Sequence, residues 1–229
     1  MTLVNYMRSF VRNLSAPVEF FIVVSLWFDP LLLNGCFLLP KFLQSGFWEF
    51  SNTCLIRGAI FQIMALAALA WIGNIRGWSL NTFGIKISWK GTGGGILLAC
   101  LSYAAMYSVW TIYELFFPPV HLNTIDTGLA IPVIISTVII NSVFEEVVEA
   151  GYFINTLSRF GMWPAILAGA LLRMLYHLPL MRIESLLGIF ATALIFEYAY
   201  WRWRQLWPLV LAHTLRNLYY FLYAVHHAA

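Results

Sequence analysis

The sequence predicts an all-α fold, a polytopic transmembrane helical bundle around a polar intramembrane cavity, and three observations carry that expectation. Hydrophobic residues make up 61% of the chain and charged ones 10%, whereas a soluble domain has about 45–50% apolar and about 25% charged residues. Long apolar stretches recur along the whole length, and about 20 such residues cross a bilayer as a helix. In the second half, acidic, basic and histidine residues interrupt these stretches at helical spacing, which places them toward one another rather than toward lipid.

The apolar stretches fall at about 18–40, 55–75, 95–117, 128–157, 162–181, 185–201 and 206–225. They give about seven spans, or eight if the first divides at Pro30. Residues 1–229 then form a single integral membrane domain, with a motif-bearing core at about 128–225. The first stretch follows Arg8 and Arg12 as a signal sequence would, but Asp29-Pro30 interrupts it and no A-x-A site follows, so it is expected to be retained as a span. Between the second and third stretches, Arg76 to Gly95 holds Lys86, Lys90 and the glycines Gly91, Gly93, Gly94 and Gly95, and it reads as a loop at the membrane interface. Trp201, Trp203 and Trp207, with Tyr198 and Tyr200, read as an aromatic belt. Cys36, Cys54 and Cys100 are odd in number and lack CxxC spacing, so they are assigned to apolar packing.

The formal charge of +3 is small, and basic residues in such a chain set orientation rather than recruit nucleic acid. With the N-terminus in the cytoplasm, eight basic residues, running from Arg8 and Arg12 to Arg202 and Arg204, face inward, while Lys41, Arg57 and Arg182 face outward. A multi-pass protein of the cell membrane with a cytoplasmic N-terminus is the expected localisation.

The fourth stretch places Glu145, Glu146 and Glu149 within two helical turns. One ionised carboxylate at the bilayer centre costs about 2.5–3.5 kcal/mol on insertion scales, so three on one helix require partners, protons or a water-filled cavity. The fifth stretch supplies Arg173 and His177, and the seventh supplies His213, Arg216 and Asn217. Arg173 and His177 are i,i+4, as are His213 and Asn217, so each pair projects from one helix face. Helix-to-helix hydrogen bonds account for one such pair, but not for adjacent glutamates, two histidines and an asparagine on different spans. Glu114, Glu184 and Glu197 stand outside these spacings and are left at helix ends or in structural pairs.

A poorly solvated carboxylate can act as a general base toward water, with a histidine positioning that water or shuttling its proton. Histidine and asparagine can donate to a developing oxyanion. Together these are the parts for hydrolysing an amide bond inside a membrane. No GxSxG motif points to a nucleophilic serine. No cofactor is expected; zinc is the alternative, since two histidines and a glutamate can ligate it, although neither HExxH nor Glu-x-x-His occurs. At about 1.5 Å per residue, Glu145 and His177 lie roughly 20 Å from the cytoplasmic ends of their stretches and His213 only about 10 Å. Pro164, Pro179 and Pro208 offer starts or kinks that shift these depths.

In order along the chain, FEEVVEAGYF, RMLYHL and AHTLRN resemble the motifs of the CAAX protease and bacteriocin-processing (CPBP or Abi) family of intramembrane glutamic proteases. The family shows Glu-Glu-x-x-x-Arg, Phe-x-x-x-His and His-x-x-x-Asn on successive membrane helices. The resemblance covers about the last hundred residues and implies a conical, water-filled cavity. It implies that Glu145 and His177 activate water, that His213 and Asn217 stabilise the oxyanion, and that Glu146 supports them. It also implies an endopeptidase acting on a membrane-anchored protein or peptide. Two positions depart from the pattern: Ala150, preceded by Glu149, stands where the family has arginine, and Arg173 stands where it has phenylalanine. The expectation is that the cation has moved, with Arg173 pairing with Glu146 or Glu149 across the cavity. The alternatives are a non-catalytic family member, such as a bacteriocin-immunity or sorting partner, and a small proton-coupled transporter.

Overall fold

The computed structural model describes residues 3–45, 48–79, 81–117, 123–126, 128–178 and 183–227; Pro179, Arg182 and the side chains of Lys41 and Glu184 lie outside the described residues. Helices dominate. The short α1 (Leu3–Arg12) leads into α2 (Ala16–Ser45), α3 (Asn52–Arg76) and α4 (Trp89–Glu114). Next, α5 (Ile131–Glu146) passes without a break into a π-helical segment (Val147–Ile154), the single turn α6 (Asn155–Leu157) and a 3₁₀ turn. The chain then forms α7 (Met162–His177), α8 (Ile183–Trp203) and α9 (Trp207–His227).

Each apolar stretch lies on a helix, and the first is one helix that continues through Pro30 and Pro40. Among the described residues, four segments are long and apolar enough to cross a membrane: Ala16–Pro40, Asn52–Arg76, Trp89–Glu114 and Ile131–Phe160. The chain is therefore a membrane protein, with fewer such segments than the seven or eight expected. The shortfall has a physical origin. At 16 residues α7 is short against the about 20 a bilayer needs, while α8 carries Glu197 and Arg202 and α9 carries His213, Arg216 and Asn217.

Three local expectations are corrected. The glycines between Gly91 and Gly95 are not loop but the first turns of α4, capped by the Ser88 hydroxyl accepting from the Gly91 N–H. Gly94 and Gly95 lie where α4 packs close against α8 and α9. A Cβ on Gly95 would stand 2.9 Å from the Pro208 carbonyl oxygen, and one on Gly94 would stand 3.3 Å from the Trp203 ring. Small residues that let backbones approach are the usual basis of helix packing in membranes. Tyr200 belongs to the core rather than to an aromatic belt: it is fully buried, donates to the Phe83 carbonyl and receives a hydrogen bond from Asn155. Finally, a small parallel strand pair breaks the all-α pattern: β1 (Trp48–Phe50) lies beside β2 (Asn123–Ile125), Trp48 opposite Asn123.

The α5 and π-helical run is the axis of the bundle. α5 packs on α3 and α9, and the π-helical segment packs on α7 and α8. Seven of that segment's eight residues are buried. Outward-facing side chains such as Leu97, Ile139, Leu167 and Leu171 are apolar, as a lipid-facing surface requires.

Candidate active site

Three helices converge on one cavity of about 330 Å³. Glu145 lies in the last turn of α5, His177 ends α7, and His213 and Asn217 stand one turn apart on α9; all four line the cavity. His177 is fixed from both sides. Its neighbour Tyr176 stacks on the buried Trp27 ring of α2, centroids 4.5 Å apart, and its own Nδ1 lies 2.9 Å from the Arg173 carbonyl oxygen. The cavity wall continues along α2, α3 and α5 through Asn34, Gln62 and Asn141, and Gln62 donates to the Asn141 amide oxygen at 2.5 Å.

The depth mismatch expected for His213 disappears because α9 begins inside the bundle. Leu206 and Leu209 are buried, and the turn before them lies under the loop that follows α3. The Leu206 N–H donates to the Gly84 carbonyl, and Gly84 sits so close against the Arg204 backbone that a Cβ would collide with its carbonyl oxygen. Gly84 has φ +65°, so glycine serves both the close approach and the left-handed backbone.

Glu145 faces the cavity, 3% exposed. Its Oε2 lies 3.9 Å from His177 Nε2 and 3.8 Å from His213 Nε2. The partners of the other ring nitrogens define the tautomers. A carbonyl only accepts, so His177 Nδ1–H donates to Arg173, and in the neutral ring Nε2 turns its lone pair toward Glu145. His213 Nδ1 lies 2.8 Å from Glu146 Oε1 and donates likewise. Two lone-pair nitrogens and a carboxylate oxygen thus point at one space. That arrangement suits a molecule bringing two O–H donors, which is what water is.

Behind this front lies a second, buried layer. Glu146, fully buried, takes both oxygens to Arg173 Nη2, at 3.0 and 2.9 Å. Arg173 Nε pairs with Glu149, so the cation one turn before His177 reaches both carboxylates. Ala150, where the family motif has arginine, is wholly enclosed by the apolar cluster of Ile154, Phe196 and Leu209. Glu146 therefore links Arg173 to His213 and holds that ring in place.

Glu197 on α8 belongs to this layer although its spacing did not single it out. It is fully buried under Gly169, its Oε1 is 3.9 Å from Arg173 Nη2, and neither of its oxygens has a hydrogen-bond partner among the described residues. The one signal available in the sequence is an acidic residue in the middle of an apolar stretch. Also among the described residues, no three His, Cys, Asp or Glu side chains are grouped so as to hold a metal ion.

Residues 127–219 match the family model described as Type II CAAX prenyl endopeptidase Rce1-like. Over that segment the chain is similar to this family. The resemblance carried by the glutamate, histidine and asparagine motifs is to this same CAAX protease family. The Rce1-like segment runs from the loop before α5 into α9 and contains Glu145, Glu146, Glu149, Arg173, His177, His213 and Asn217. The α2 and α3 wall of the cavity lies outside it. No curated protein and no solved structure matches the chain.

Proposed function

We propose that the protein is an intramembrane glutamic-type endopeptidase that cleaves a membrane-anchored protein or peptide without a metal. The observation that carries this reading is the placement of Glu145 Oε2 within 3.9 Å of two imidazole Nε2 atoms at the wall of a cavity. In this mechanism Glu145 accepts a proton from water, assisted by His177, as the water oxygen attacks the scissile carbonyl carbon. The carbonyl oxygen becomes an oxyanion, to which the Asn217 amide and His213 Nε2–H donate. For that step His213 is an imidazolium, its Nδ1–H held by Glu146 and its Nε2 having taken a proton from solvent before the attack. Collapse breaks the C–N bond, and the proton on Glu145 passes to the departing amine.

Arg173 supports the reading as a positioning residue, supplying the charge that keeps Glu146 an acceptor for His213. It is the cation that the motif lacks at Ala150. A prenylated CAAX peptide is the first substrate to try, because the matched family description names that class. The proposed site is the cell membrane, with the N-terminus in the cytoplasm.

Comparative proteomics of cells carrying wild-type or Glu145→Ala protein tests the function while the substrate is still unidentified. One membrane protein whose terminus differs between the two is the expected result. Identical termini throughout, with both proteins present in the membrane at equal levels, would contradict it.

A further inference from the structure

The cavity contains a cation that the hydrolytic steps do not use. Arg216 lies on α9 between His213 and Asn217 and lines the cavity with them. It is half-buried, and among the described residues it has no hydrogen-bond or ion-pair partner. Other arginines of the bundle differ in this respect. Arg57 donates to Asn34 and lies over the Phe37 ring, Arg76 pairs with Glu19, Arg204 donates to Asn155, and Arg173 holds Glu146 and Glu149.

A guanidinium offers five donors in a planar fork and matches the two oxygens of a carboxylate. Such charge-assisted pairs are about twice as strong as neutral hydrogen bonds and are strongest out of bulk water. Of the nearby acids, Glu146 and Glu149 are turned to Arg173, and Glu145 Oε2 faces the two histidines without a hydrogen-bond partner; among the described residues none of the three makes an ion pair with Arg216. The matching anion therefore comes with the ligand.

We propose that Arg216 is a specificity-determining residue that binds a carboxylate of the substrate beside the scissile bond. This rests on the peptidase reading for the identity of the ligand. Arg216 is less than one helical turn, about 5.4 Å, from His213, and an extended peptide advances at most about 3.3–3.6 Å per residue. The carboxylate thus lies within about three residues of the cleaved bond. It is either the chain's C-terminal carboxylate or an acidic side chain.

The test uses purified Glu145→Gln protein in lipid nanodiscs and fluorescent S-farnesyl peptides ending in Cys-Val-Ile-Met, as the free acid and as the C-terminal amide. Anisotropy is expected to show the acid binding at least tenfold more tightly than the amide. Arg216→Ala added to that protein is expected to abolish the difference, and Arg216→Lys to keep part of it. A third peptide, the amide with glutamate in the last position, separates the sources: tight binding assigns the site to any nearby carboxylate, weak binding to the chain terminus. An acid that binds no better than the amide, or does not bind at all, overturns the proposal, as does an acid preference that survives Arg216→Ala. Cleavage of the same peptides by the wild-type protein is read separately. An Arg216-dependent acid preference without cleavage would sink the peptidase reading and leave the carboxylate site standing.

Discussion

Arg173 is 2% exposed and faces Glu146, Glu149 and Glu197, all fully buried. Removing one partner of a buried ion pair costs about 3–5 kcal/mol, because the other charge is left uncompensated. Arg173→Met is expected to lower the melting temperature in detergent steeply, and Arg173→Lys to recover part of the loss, since a lysine meets these acids as a point charge rather than a fork. A melting curve of Arg173→Met that overlays wild type would remove Arg173 from the supporting role given to it. Restoring the family pattern is expected to fail as well. Ala150 is packed among apolar side chains, so the Ala150→Arg, Arg173→Phe double variant should melt below wild type. The exchange of position between Ala150 and Arg173 was legible because a buried carboxylate pair demands a cation and Arg173 stands one turn before His177, at the position where the motif has phenylalanine. Glu197 was not legible, because it has no partner at three or four positions along its own helix, and its contact with Arg173 exists only once α7 and α8 have packed.

Helices were legible wherever a long apolar run sufficed to define them, as in α3 and the α5 run. The start of α4 was hidden by its glycines, whose local preference is for turns and whose helical state depends on α9 lying against them. This reading makes a signed prediction at two positions of the same helix. At Gly95 a methyl group meets the Pro208 carbonyl oxygen at 2.9 Å, whereas at Gly93 nothing lies within 4 Å. Gly95→Ala is expected to destabilise by about 1–3 kcal/mol through overpacking. Gly93→Ala is expected to stabilise by about 0.5–1 kcal/mol through backbone entropy. Thermal melts of the two purified variants in one detergent give the comparison. The β1 and β2 pair had no sequence signal, because three residues are too few for an alternating pattern and their pairing joins segments more than 70 residues apart.

For the whole molecule, the proposed orientation, with the N-terminus in the cytoplasm, predicts that single cysteines at Arg8 and Arg202, in a Cys-free background, are labelled from the cytoplasm. A cysteine at Ser51 should be labelled from the opposite side. Labelling of Arg8 and Ser51 from the same side would contradict the assigned orientation. Composition and motif order revealed a helical membrane protein with its polar groups turned inward, but not how those groups divide. The front of Glu145, His177, His213 and Asn217 faces the cavity, while the rear of Glu146, Glu149, Arg173 and Glu197 is shut away from it, and only the packing of α5, α7, α8 and α9 makes that division. The most direct test is the cleavage rate of wild-type and Glu145→Gln protein in nanodiscs, on a farnesylated CAAX peptide or the membrane protein found by proteomics. General-base catalysis supplies about 10²–10⁴-fold in rate. A fall of at least that size is predicted for Glu145→Gln, with wild-type cleavage unaffected by a metal chelator and both proteins melting alike. Equal cleavage by the two proteins, or loss of wild-type cleavage on chelation, would contradict a glutamic, metal-free peptidase.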